Sequence, residues 1–260
     1  MFDGPIRRCG IAGAHGTGKT WAIITSPYSP ILLIDYDDGS RSYAAQPAFN
    51  FQRILADEAR TIGDILLALD SKSDKVTVNF GGEPYEHKLT PPYGTIAIDT
   101  WSAFQALAAG AYFQTQPQRR QDNQGPLIWG EVKQHLAARV HSLGKHCNLL
   151  ILTSHTRQAF GPDGQPVKQT KEAVFYDRIW QALDLVGFLS QAKGSQVPRV
   201  TFRPPMGKKR LPGLPMELPE FSWGEIFKYS IEVVDLPTPE ARRAEIEKTL
   251  KAFKKMVNGK

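Results

Sequence analysis

One octapeptide near the start of the chain restricts its fold more than any other stretch. Gly13-Ala14-His15-Gly16-Thr17-Gly18-Lys19-Thr20 fits the phosphate-loop pattern G-x-x-x-x-G-K-[ST] without a gap. Glycines let the backbone turn tightly and aim several N–H groups at one point, which makes an anion nest. The helix expected to begin near Lys19 adds the positive end of its dipole. In such a loop Lys19 reaches the β- and γ-phosphates, and the Thr20 hydroxyl ligates Mg2+. The flanks supply the required context. Arg8-Cys9-Gly10-Ile11-Ala12 reads as a short buried strand, and Trp21-Ala22-Ile23-Ile24 as the apolar start of a helix. Strand, loop and helix follow in order, so Gly13–Thr20 is the expected nucleotide-binding segment.

The 260 residues suit one large domain, or one domain with an appendage. The loop begins so early that no separate domain is expected before it. No window approaches the roughly 18 apolar residues that a membrane span needs. Met1-Phe2-Asp3-Gly4-Pro5 has no signal-peptide pattern. A cytoplasmic protein with no membrane partner is therefore expected. Cys9 and Cys147, the only cysteines, sit in or beside apolar runs and read as buried free thiols. With no C-x-x-C pair and no H-E-x-x-H, a zinc site has little support. The net charge is +6, and its distribution matters more than its size. Residues 237–260 carry seven Lys/Arg against three Glu, and the stretch from Arg199 to Arg210 holds five basic residues and no acid. Such patches suit a polyanion or simply a solvated face.

Further along, Ile31-Leu32-Leu33-Ile34 reads as a strand buried on both faces, as in a parallel sheet. It ends in Asp35-Tyr36-Asp37-Asp38-Gly39, at the carboxyl edge where open α/β sheets bind ligands. Residues 59–70 have helical spacing. Lys75–Phe80 alternates and precedes Gly81-Gly82, as one arm of a hairpin in a peripheral insert at about 72–92. Thr95-Ile96-Ala97-Ile98-Asp99-Thr100 is a Walker B pattern, in which Asp99 holds the hydration shell of Mg2+. Thr100 stands where AAA-type motors place a water-polarising Glu. A hydrolytic base must then come from elsewhere, and the acids at 35–38 are the obvious source.

A helix is expected over Ser102–Tyr112, and a polar loop with Arg119-Arg120 over Gln114–Pro126. Trp129, Val132, Leu136, Val140 and Leu143 form the stripe of an amphipathic helix, on which His135 and His141 read as structural. Asn148–His155 is another apolar strand that ends in polar residues, and His155 stands at its tip, where a polar group can contact the γ-phosphate or its water. Thr156–Lys171 reads as a long loop, Tyr176–Leu183 as a helix, and 185–189 and 199–202 as strands. Prolines from Pro204 to Pro215 hold Lys208-Lys209-Arg210 in an extended arm. Thr238-Pro239-Glu240 opens a basic C-terminal helix.

No [NT]-K-x-D motif follows a strand, so adenine is favoured over guanine. The strand after Walker B implies a sheet in which it lies between the loop strand and the Walker B strand. From about residue 6 to 222 the chain resembles the RecA-like ATPases, and in particular small phage-encoded proteins of the single-strand annealing and recombination type. The resemblance rests on the loop at 13–20, Ile34–Gly39, Ile98-Asp99, Thr153-Ser154-His155, Asp184-Leu185-Val186 and Lys208-Lys209-Arg210. It implies a three-layer α/β core with a mostly parallel central sheet over 1–236, a small β insert, and a basic helical tail at 237–260. It also implies Mg2+-dependent, DNA-stimulated hydrolysis of ATP. In the family a Glu two residues after the second-strand Asp activates water; here that place is Asp37, with Asp38 beside it. The spacing of Lys208 and Arg210 matches the K-x-R fingers that a neighbouring subunit inserts.

The implied partners are single-stranded DNA, further copies of the chain in a ring or filament, and a single-strand DNA-binding protein. DNA would lie along Gln114–Gln124 and Thr156–Lys171, in the host cytoplasm if the protein is phage-encoded. A small-molecule P-loop kinase, or the ATPase subunit of a helicase or packaging motor, stands as the alternative.

Overall fold

Apolar residues that alternate between two faces need cover on both, and here they build one sheet between two helical layers. The structure, a computed structural model, describes residues 6–44, 46, 49–122, 124–160, 165–191, 197–203 and 214–228. β1 (Arg8–Gly13) leads through the phosphate loop into α1 (Lys19–Ile24). Next come β2 (Ile31–Asp35), α2 (Arg41–Ala44), β3 (Phe51–Leu55) and α3 (Thr61–Asp70). A hairpin of β4 (Lys75–Phe80) and β5 (Glu83–Lys88) precedes β6 (Tyr93–Asp99). Three helices follow: α4 (Trp101–Gln114), α5 (Pro117–Gln121) and α6 (Gly125–Leu143). β7 (Cys147–Ser154) runs into a second hairpin, β8 (Thr156–Phe160) and β9 (Pro166–Ala173), and then α7 (Asp177–Ala182). β10 (Leu185–Ser190), β11 (Arg199–Arg203), β12 (Glu217–Leu218) and α8 (Trp223–Phe227) complete the described chain.

The main sheet has the order β12-β11-β10-β1-β7-β6-β2-β3, and the two hairpins form separate two-stranded sheets. β10, β1, β7, β6, β2 and β3 are mutually parallel, while β11 and β12 are antiparallel additions at one edge. β7 thus lies between the loop strand and the Walker B strand, as the order of the strands in the sequence implies. All the parallel strands end on the same edge. That register sets Asp35 opposite Asp99 and Ala12 opposite Ser154.

Alternation along each strand divides the core. Leu32, Ile34, Ile96, Ile98, Leu150 and Leu152 face α3, α4, α6 and α7. Ile31, Leu33, Ala97, Leu149 and Ile151 face α1 and α8. Burying one such side chain contributes about 1.5–3 kcal/mol. On the α1 side the Trp223 indole N–H donates to the Ala22 carbonyl at 2.8 Å, which ties α8 to the loop helix.

Several sequence expectations change. The segment from 156 is a hairpin rather than a loop, because Thr156 to Phe160 pairs with Pro166 to Ala173. Part of the stretch at 114–126 is helical, as α5. On α6 the buried stripe is Ile128, Val132, Leu136, Val140 and Leu143. Trp129 sits one position off that stripe, with 40% of its surface exposed. Arg8 donates from its guanidinium to His141 Nδ1 at 2.8 Å, and the His135 ring packs at a tilt beside Tyr112. Both cysteines are free thiols, Cys9 buried and Cys147 half-buried. Lys208, Arg210 and the tail at 237–260 lie outside the described residues. Among the described residues no helix is long and apolar enough to cross a membrane.

Candidate nucleotide-binding site

The loop's shape follows from its glycines. Gly16 and Gly18 have φ of 75° and 89°, where a Cβ is strained. At Gly13 a Cβ would stand 2.2 Å from Thr17 Oγ1 and 3.2 Å from the Leu189 carbonyl oxygen, so only glycine lets the strand pass that close to the loop. Thr17 closes the turn by donating its hydroxyl to the Ala14 carbonyl at 2.9 Å. Lys19, only 7% exposed, folds back onto the Ala14 and Gly13 carbonyls at 3.0 and 3.3 Å. Burial holds its ammonium below the ordinary lysine range, and the carboxylates of Asp99 and Asp37 work against that shift.

Asp99 ends β6 with its carboxylate buried. Thr20 on α1 donates to its Oδ2 at 2.6 Å, and Thr153 on β7 donates to its Oδ1 at 2.5 Å. Burial raises the Asp99 carboxyl above its usual range, while the Thr153 and Thr20 hydroxyls draw it back. A threonine hydroxyl beside a carboxylate is a hard-oxygen donor pair. It fits Mg2+, which takes its remaining ligands from phosphate and water. The loop, which closes against Thr17 only because Gly13 has no Cβ and whose residues 15–20 line the cleft, fits a nucleotide phosphate. Thr20 and Asp99 would hold the metal, and Gly13–Lys19 the phosphates.

The turn after β2 is organised by Asp35, which has no exposed surface. Its Oδ1 accepts from the backbone N–H of Asp37 and Gly39, at 3.2 and 3.3 Å. Its Oδ2 accepts from the Ser40 N–H at 3.1 Å and the Ser40 hydroxyl at 2.5 Å. Arg53 on β3 adds Nε and guanidinium donors to the same oxygen, at 3.2 and 3.1 Å, and also pairs with Asp38. A Cβ added at Gly39 would meet Thr20 Oγ1 at 3.3 Å, so this turn passes directly against the Thr20–Asp99 pair.

From that turn Asp37 reaches across the sheet edge to His155, whose Nε2 lies 2.9 Å from Asp37 Oδ2. Both side chains line a cleft of about 280 Å³ with His15, Lys19, Thr20 and Asp99. Asp38 is placed differently. It does not line the cleft; it adopts a φ of 54° and pairs with Arg53 and, at 3.9 Å, with Arg41. Arg119, expected on a DNA-facing loop, is held by a two-pronged contact with Glu131 at 2.8 and 2.9 Å. Trp21, Ser42, Tyr43, Gln191 and Pro198 also line the cleft, and sequence reasoning did not single them out as site residues. Nor did it find Arg53, since β3 (Phe-Gln-Arg-Ile-Leu) has too few apolar positions to announce a strand.

A glycine loop feeding a helix, with a Walker B carboxylate two strands away and hard-oxygen donors between them, defines a P-loop nucleotide-binding domain. The chain belongs to the AAA domain family, whose model matches residues 6–208, and is a nucleotide-binding ATPase domain. Among solved structures it is similar to a KaiC-like protein from the hyperthermophilic archaeon Pyrococcus horikoshii OT3, at 13% identity. That match covers 77% of this chain and 80% of the other, with a TM-score of 0.42. The RadB recombinase is similar at 12% identity over 76% of this chain and 81% of its own, with a TM-score of 0.43. No match was found among curated protein sequences.

Proposed function

We propose that this chain is a Mg2+-dependent ATPase in which Asp37 is the proton acceptor for the attacking water. One observation carries the reading: Asp37 and His155, from the ends of β2 and β7, meet at 2.9 Å on the wall of the cleft that holds Lys19, Thr20 and Asp99. Thr100 cannot polarise water as a glutamate would, so a carboxylate from another strand is required. His155 donates to Asp37 and fixes the carboxylate. Asp37 takes a proton from water as its oxygen attacks the γ-phosphorus, and the bond to the bridging oxygen breaks toward ADP. Lys19 leaves the Gly13 and Ala14 carbonyls to meet the terminal phosphates. Mg2+, held by Thr20 and Asp99, would supply charge neutralisation at the terminal phosphates. Lys208 and Arg210 of a neighbouring copy add further transition-state charge, so the working form is a homo-oligomer, a ring or filament.

Single-stranded DNA is the partner we propose, in recombination, annealing or replication of the phage type, in the cytoplasm and alongside a single-strand DNA-binding protein. The supporting surface feature is aromatic. Phe113, Trp129 and Tyr176 follow one another at centroid distances of 4.9 and 5.5 Å, and the Arg120 guanidinium stands over Phe113 at 5.9 Å. Trp129 is exposed, while Phe113 and Tyr176 are half-buried against the core, so one open ring beside a cation offers a base a place to stack. The test is the ATPase rate with Mg2+, alone and with single- or double-stranded DNA, paired with particle size in each state. Turnover that needs Mg2+ and rises with single strands supports the reading. Hydrolysis indifferent to any nucleic acid, with no binding at low salt, removes the DNA part. A chain that binds ATP·Mg2+ without turnover removes the hydrolytic part.

A further inference from the structure

Arg53 lines no part of the cleft, but its guanidinium holds Asp35 and Asp38, the two acids on either side of Asp37, which does. It stands on β3, with its side chain 18% exposed, and directs two donors at the buried Oδ2 of Asp35. A carboxylate with no solvent contact retains its charge only when it is paired and hydrogen-bonded. Asp35 meets that condition through Arg53 and through four donors from its own turn: the N–H groups of Asp37, Gly39 and Ser40 and the Ser40 hydroxyl. Those four bonds are what give the segment 36–40 its shape. The same guanidinium also holds Asp38, whose left-handed backbone lets the chain turn outward between Asp37 and Gly39.

We propose that Arg53 is a positioning residue for hydrolysis: by neutralising Asp35 and gripping Asp38 it fixes the 35–40 turn, which aims the Asp37 carboxylate at His155. The proposal rests on the reading of Asp37 as proton acceptor. The turn has two outputs. Asp37 meets His155 at 2.9 Å, and the Gly39 backbone runs against Thr20 and Asp99. Loss of the guanidinium leaves a buried charge with only its own turn to stabilise it. The turn then relaxes toward water, and Asp37 leaves His155 before the loop at 13–20, held by its own bonds, is disturbed.

The test compares Arg53→Met, Arg53→Lys and Ser40→Ala with wild type and Asp37→Asn, all as the full chain. The first readout is long-range proton–nitrogen NMR of the His155 ring without nucleotide, where contact with a carboxylate is visible directly. The second is kcat and KM for ATP·Mg2+ together with the affinity for a fluorescent ATP analogue. Arg53→Met is expected to lose the His155–carboxylate signature as Asp37→Asn does. Its kcat should fall at least ~10-fold while analogue affinity stays within about 3-fold, the mark of an interaction outside ground-state binding. Arg53→Lys, which keeps the charge without the fork, should recover part of both. An Arg53→Met protein that keeps signature and turnover overturns the proposal, as does a loss of turnover matched by the loss of analogue affinity and not relieved by lysine. Should Arg53→Met fail to fold, Ser40→Ala, which removes one donor to the same Asp35 oxygen, decides by the same readouts. A wild type that binds the analogue without hydrolysing ATP overturns the hydrolytic reading instead, and the NMR comparison then decides on Arg53 alone.

Discussion

Asp37 and His155 are 118 positions apart in the chain, yet their side chains meet at 2.9 Å at the carboxyl edge of the sheet. The contact exists because β2 and β7 flank β6 and run parallel to it, so their tips converge on Asp99. If Asp37 is the proton acceptor, Asp37→Asn should lower kcat by about 10²–10⁴ with little change in the KM for ATP. His155→Ala should lower it less, because the carboxylate survives but is no longer held. The double variant should be little worse than Asp37→Asn alone, since the two residues act as a unit. Additive losses in that cycle, measured by steady-state kinetics, would separate their roles.

Gly13 offers a test of binding independent of hydrolysis. An alanine methyl would stand 2.2 Å from Thr17 Oγ1 and 3.2 Å from a backbone oxygen on β10. The backbone oxygen cannot move cheaply, so the loop must. Gly13→Ala should weaken nucleotide binding by at least ~10-fold, about 1.4 kcal/mol, with the far-ultraviolet dichroism unchanged. Titration with a fluorescent nucleotide checks it, and wild-type affinity in the variant would show that the loop shape does not limit binding.

The amino-acid sequence makes the inner sheet legible because its strands are apolar on both faces. Ile31–Ile34, Thr95–Ile98 and Leu149–Leu152 have no other use for runs of that length. The place of β7 between the loop and Walker B strands follows from the order of those runs. Elements that earn their stability from neighbours were hidden. β3 exposes Gln52 and Arg53 partly and is a strand because β2 offers it a free edge. The hairpin at 156–173 reads as a loop because its residues are mostly polar, and its pairing becomes visible only in the ladder from Thr156 to Ala173. In the site, acids near the loop could be found by position, but not their duties. Three acids stand within four residues, and burial, an arginine on another strand and a histidine 118 positions away give them different roles.

The two thiols should be inert. Burial pushes the Cys9 thiol far up, with the Asp184 charge adding to it. It also pushes the Cys147 thiol up to about 12, against hydrogen bonds from the backbone of Ile96 and Leu149. A thiolate is the reactive form, so neither group reacts appreciably near neutral pH. At pH 8 a chromogenic disulfide reagent should titrate no thiol in the native chain and two in urea. A fast-reacting native thiol would show that the sheet opens at Cys147, which is the less enclosed of the pair.

Asp99 should show the cost of keeping a carboxylate in the core. Burial raises its carboxyl above the usual range, so the folded chain holds a proton there that the unfolded chain has already released. Stability from this group is therefore fully present below the ordinary carboxylate value. It is lost as the pH rises from that value through the raised one. Asn at this position carries no charge at any pH, and its amide oxygen still accepts from a threonine. Without nucleotide, Asp99→Asn should melt above wild type at pH 7, and the gap should narrow as the pH is lowered into the carboxylate range. With ATP·Mg2+ the order should reverse, because ligand binding stabilises only a chain that can hold the metal. Melting curves from pH 4 to 8, with and without ATP·Mg2+, test both halves. A lower melting temperature for Asp99→Asn at neutral pH without nucleotide would mean that the Thr20 and Thr153 hydroxyls more than offset the burial of the charge.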